Sequence, residues 1–255
     1  MGIGYVLAFA SAAFIGLNTV ANKVILSSGV SEMVAGAWTY FFATCLFIPL
    51  AVHATPRGAV AALFRESDSK ARLLLVGWLI TGAIGGPMFY FLGLGRTSAI
   101  HGAILNNLEA VFTALLAFGI FREGIGRRGV IGSAVVLAGS VWLSWPTETA
   151  TAGATVLGDL LISTGFLCWA TECNLLRAIG PRLPVVSMLA AKTTTAMATM
   201  GTLAVAQAGS LAIPSRVVPM TVASGLGFLA LSILFSYSAI RRIGAGRTGL
   251  IITTS

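Results

Sequence analysis

Glu109, Glu172 and Lys192 lie inside long apolar runs of a 255-residue chain, and chemistry is expected there first. A charge within a hydrocarbon layer is costly, so it faces a partner, a polar cavity or a ligand. Asn106 and Asn107 fall within one turn of Glu109, and Asn106, three residues earlier, shares its helical face. Two amides and an acid suit a zwitterion or an amine, and they suit hydrogen bonds between helices equally well. Glu109 is a candidate for binding and for carrying a proton; a neutral acid bonded to a neighbouring helix is the alternative. Glu172 and Lys192 sit at depths where they can pair across a helical hairpin. The pair reads as structural or as an inner gate that breaks when the site opens.

Weaker candidates surround these. Asn18 occupies a place on the first apolar run like that of Glu172 on the sixth. Lys23 and Arg177 follow them near span ends and are read as snorkelling to the two interfaces, or as gate residues. His101 opens the fourth run, as a solvated start residue or a proton relay. Trp169 and Tyr90 either line a cavity, where their faces contact apolar or cationic ligands, or belong to an interfacial belt. The three threonines after Lys192 bond the preceding turn by default. Cys45, Cys168 and Cys173 have no metal or redox spacing and read as packing residues. No metal and no cofactor is expected.

These residues need a membrane-embedded helical scaffold. The chain is 56% hydrophobic and only 9% charged, too little charge for a soluble surface. A span takes about 20 apolar residues. Spans are expected near 3–22, 33–53, 73–95, 99–121, 129–145, 156–176, 184–208 and 217–240, with a ninth opening near 248. The first run lacks a basic start and precedes further spans, so it reads as a helix and not a leader. Gly82 and Gly86 followed by Pro87 mark a close-packed bend in the third span, and Gly225 and Gly227 weaken the eighth.

The net charge of +8 does not indicate a nucleic-acid partner, because the cations sit in loops. With the N-terminus in the cytoplasm, 12 of the 16 Lys and Arg fall in inner loops, Lys23, Arg96 and Arg216 fall outside, and Lys192 is within a span. This bias fixes the trial orientation. A bacterial inner (plasma) membrane is the expected location, and a homodimer is left open.

The span order repeats. Units 1–146 and 147–255 start their spans at corresponding places, and Phe14 to Asn18 followed by Lys23 matches Cys168 to Glu172 followed by Arg177. Five spans per unit is odd, so the second copy crosses the membrane in the opposite sense. Inverted repeats of this kind place a substrate site near the midplane between two half-folds. Only eight residues follow position 247, so the ninth span is expected to be cut short, with roughly 35 to 45 residues needed to complete the second unit.

Gly158-Asp159-Leu160 through Cys168-Trp169-Ala170 to Arg177 resembles the start of the second EamA domain of the drug/metabolite transporter superfamily. Leu105 to Glu123 resembles the fourth helix of that domain, and Gly129 to Leu143 its small-residue fifth helix. The resemblance implies an all-α fold of ten helices, cytoplasmic termini, a central cavity, and export or exchange of amino acids, other small metabolites or drugs. Ala110 stands where the family often has proline after Leu-Glu, so a kink at that point is not expected. The chain carries no nucleotide-binding, HExxH or GxSxG motif. The leading expectation is a secondary transporter of a small molecule in the lipid bilayer, with protons as a candidate coupling ion. An intramembrane enzyme and an inactive fragment are the alternatives.

Overall fold

Apolar runs bounded by capping residues and glycines fold here as long helices. In the computed structural model the described residues are 2–54, 56, 68–121, 152–179 and 184–244, together with 131, 132, 134, 135, 137–139, 142, 248 and 251. Seven long helices run through them: α1 (Gly2–Ser27), α2 (Glu32–Ala54), α3 (Ser69–Arg96), α4 (Ala99–Phe121), α5 (Ala152–Ile179), α6 (Val185–Ala208) and α7 (Ser215–Ile243). They correspond to expected spans one to four and six to eight. Most of the fifth expected span and nearly all of the ninth lie outside the described residues. So do the inner-loop cations Arg57, Arg65, Arg122, Arg127, Arg128, Arg182 and Arg247.

Helix ends follow local chemistry. Asp68 caps α3 by accepting from the Ala71 N–H at 2.8 Å, and Ser98 caps α4 by accepting from the His101 N–H at 3.1 Å. α6 ends at Gly209 with φ of 66°, a left-handed turn that favours glycine. Among the described residues, six helices are long and apolar enough to cross a membrane. α6 has 24 residues and matches them in length; Lys192 and its three threonines lower its apolarity. The chain is an integral membrane protein built of helices, and no strand occurs among the described residues.

Two helices change pitch at mid-length. Ile80–Gly85 of α3 and Ala223–Leu229 of α7 are π-helical. A π turn widens the helix and shifts its hydrogen bonds by one residue, a geometry frequent at functional sites. Pro87 follows the first of these segments and glycines fill both. α4 is interrupted at Asn106 and Asn107, where the N–H groups of Asn107 and Glu109 bond carbonyls three residues back, Ile104 and Asn106, each at 3.1 Å. The helix runs unbroken through Ala110, and the interruption lies one turn earlier. The amide pair, whose side chains compete with the helix backbone, marks a break that Ala110 does not make.

Packing pairs the helices as α1 with α7, α2 with α6, and α3 with α5, with the second segment of α4 also against α5. At the α3–α5 crossing, a side chain on Gly93 would meet the Gly158 carbonyl at 2.6 Å, and one on Gly165 would meet the Gly86 carbonyl at 3.1 Å. Glycines spaced by seven on each helix therefore set this backbone contact. The core between the helices holds Phe47, Phe91, Phe166, Leu189 and Met200. Apolar side chains such as Ile3, Phe9, Val52, Leu73 and Leu160 point outward, as a bilayer-facing surface requires.

Candidate functional site

The helices enclose a cavity of about 90 Å³ lined by residues of all seven. A water occupies roughly 10–15 Å³ on this measure, so the space holds several waters or a small solute. One wall is the interrupted α4, which supplies Asn106 and Glu109. The break at Asn106 and Asn107 puts Glu109 in the first turn of the second segment, where its carboxylate faces the cavity. Its partner among the described residues is the Cys173 thiol, with Sγ 3.8 Å from Oε1.

The adjoining wall is α5. Glu172 Oε2 accepts from Lys192 Nζ at 2.7 Å, and Tyr237 Oη donates to the other oxygen. Lys192 Nζ also lies 5.5 Å from the centre of the Tyr237 ring. Both members of the ion pair are buried. This one carboxylate thus joins α5, α6 and α7, and rests on the π segment of α3. A side chain on Gly82 would meet both its oxygens at 2.5 Å, so the pair needs glycine there. Nearby, Trp169 donates its indole N–H to the Gly82 carbonyl at 3.3 Å, and its ring lies 5.3 Å from that of Tyr90.

α1 supplies an oxygen-rich side. Ser224 Oγ lies 2.8 Å from Asn18 Oδ1 and 2.7 Å from Asn22 Oδ1. Asn22 Nδ2 donates to Asn18 at 3.3 Å. The Tyr90 hydroxyl donates to Thr19 at 3.2 Å. The π segment of α7 carries Ser224 into this group.

Seven candidates singled out from sequence therefore meet at the cavity: Asn18, Tyr90, Asn106, Glu109 and Trp169 line it beside the ion pair of Glu172 and Lys192. The remaining four do not line it. Asn107 is partly buried, and no described residue partners its Oδ1. Arg177 is exposed near the end of α5. Lys23 donates its Nζ to the Leu94 and Thr97 carbonyls at 2.8 and 2.5 Å, closing the C-terminal end of α3. His101, in the first turn of α4, is partly buried. Its Nδ1 is 3.0 Å from Asp159 Oδ2, and Asp159 also accepts from Thr97 Oγ1 at 2.6 Å. Lys23, Thr97, His101 and Asp159 form a second polar cluster, away from the cavity. Asp159 was legible as an acid early in an apolar run. Tyr40, Asn22 and Tyr237, which also line the cavity, carried no comparable signal, since a tyrosine or asparagine in an apolar run has many uses.

The model of the EamA-like transporter family matches residues 2–145, more than half of the chain. The chain belongs to the EamA-like transporter family. An uncharacterized transporter of Methanothermobacter thermautotrophicus is 22% identical over 260 residues, covering 99% of this chain and 76% of that protein. The uncharacterized transporter YyaM of Bacillus subtilis is 28% identical over 206 residues, covering 75% of this chain and 66% of that protein. The EamA family match spans α1 to α4, and so covers the wall that carries Asn18, Tyr90, Asn106 and Glu109.

Proposed function

We propose that this EamA-family chain is a secondary transporter that exports or exchanges a small metabolite, an amino acid or a related compound, by alternating access at the central cavity. The observation that carries this reading is the cavity itself: Glu109, Glu172 and Lys192 converge on it from three helices in a bundle of apolar spans. Intramembrane ionisable groups around a shared cavity mark a ligand or ion path.

The helix pairing supports two related units, 1–146 with five spans and 147–255 with three spans and the start of a fourth. Exchanging the units converts the α1–α7 contact into the α5–α3 contact and leaves α2–α6 unchanged. The two π segments occupy equivalent helices, and each meets one of the matched residues: Ser224 meets Asn18, and Gly82 meets Glu172. Two related halves can give two states of similar energy around one site. The N-terminus is assigned to the cytoplasm of a bacterial inner membrane on the loop charges.

Protons are the proposed coupling ion, with Glu109 as carrier and Asn18, Asn106, Tyr90 and Trp169 as binding residues. The titratable groups that act on Glu109 are Lys192 of α6 and Glu172 and Cys173 of α5. The test is counterflow of labelled amino acids and small amines into proteoliposomes with and without a pH gradient. Flux above protein-free vesicles is expected, and Glu109→Gln abolishes it or makes it insensitive to the gradient. Unchanged, still gradient-dependent flux in that variant contradicts the assignment.

A further inference from the structure

The charges of the cavity are unequal. Its described lining contains two carboxylates, Glu109 and Glu172, and one ammonium, Lys192. Lys192 is committed: its Nζ is bonded to Glu172 at 2.7 Å and stands over the Tyr237 ring at 5.5 Å. Glu172 is committed to Lys192 and Tyr237. Among the described residues Glu109 has only the weak contact with the Cys173 thiol, at 3.8 Å, a poor donor. The described lining therefore offers a carboxylate to a ligand and withholds a free cation from one.

On the transport reading above, we infer that the cavity selects an amine cation that carries no carboxylate, with its ammonium on Glu109. An ammonium supplies three donors and satisfies the acid that the protein leaves poorly partnered. Its alkyl part lies against Tyr90 and Trp169, whose faces favour cationic and apolar groups alike. A zwitterionic amino acid brings a second charge that finds no cation in the described lining unless Lys192 leaves Glu172. Breaking that buried pair is costly. Rejection of the zwitterion thus follows from an unpaired charge and not from size, and such discrimination is strong. The inference narrows the substrate class from amino acids and related compounds to amines.

A matched trio tests it on the purified chain: butylamine, norvaline (the same skeleton with a carboxylate added) and pentanoate (norvaline without its amine). Binding is measured by calorimetry, and counterflow of each in proteoliposomes is measured alongside. Butylamine is expected to bind at least about tenfold more tightly than norvaline, with pentanoate weakest. Glu109→Gln is expected to lose at least about tenfold in butylamine affinity, whereas Glu109→Asp, which keeps the charge, stays close to the parent. Size-exclusion behaviour identifies variants that fold, and Glu109→Asp answers if Glu109→Gln does not. Equal or tighter binding of norvaline or pentanoate overturns the inference, as does no binding of any of the three, or unchanged butylamine binding in Glu109→Gln. Butylamine binding without flux leaves the site standing and removes the transport reading. Flux of norvaline in preference to butylamine keeps transport and removes the amine.

Discussion

The Glu172–Lys192 pair rests on two further groups that no spacing rule announces. Tyr237 donates to the same carboxylate, and Gly82 leaves the space in which that carboxylate sits. Removing one member of a buried pair leaves a lone charge and costs about 3–5 kcal/mol. Lys192→Met is expected to lower stability by about that amount in detergent thermal unfolding. The swapped double variant Glu172→Lys with Lys192→Glu is expected to recover part of the loss. A double variant no more stable than the worse single change contradicts the pairing. The depth of these two residues in their spans was readable from sequence, because a lone acid and a lone lysine stand out in apolar runs. The contribution of Tyr237 was not, since a tyrosine there serves packing as readily as a hydrogen bond. The partners of Lys23 and His101 were not legible, because the carbonyls that end α3 and the buried Asp159 come from other helices.

At the level of helices, the spans were legible because twenty apolar residues have little else to form in a bilayer. All seven described spans fall within a few residues of the limits read from sequence. Their irregularities were legible only in part. Gly82, Gly86 and Pro87 marked α3 as weak, and Gly225 and Gly227 marked α7, yet a local pattern does not distinguish a proline bend from a π segment. The break in α4 came from two asparagines and was not foreseen. The π segment of α3 has a measurable role: it presents Gly82 to Glu172. Gly82→Ala places a methyl group against the carboxylate and is expected to cost about 1–3 kcal/mol. If the loss comes from ejecting Glu172, adding Lys192→Met costs much less than it does alone, because the pair is already broken. Additive losses in that double-mutant cycle place the effect of Gly82→Ala elsewhere.

For the molecule as a whole, the central claim is that one cavity opens in turn to the two sides of the membrane. Loop charges and span order predict its orientation, and the exchange-related pairing of α1–α7 with α3–α5 is the contact pattern that two similar halves produce. Neither feature moves a ligand. The chain carries its own probe, because Cys173 lines the cavity beside Glu109, while Cys45 is exposed away from it and Cys168 is half-buried. With Cys45 and Cys168 changed to alanine, Cys173 reports access through its reaction with a membrane-impermeant cationic thiosulfonate. The reagent is applied to either face of vesicles of known orientation. Alternating access predicts modification of Cys173 from both faces, slowed from each by butylamine. Modification from one face alone, or from neither, contradicts it.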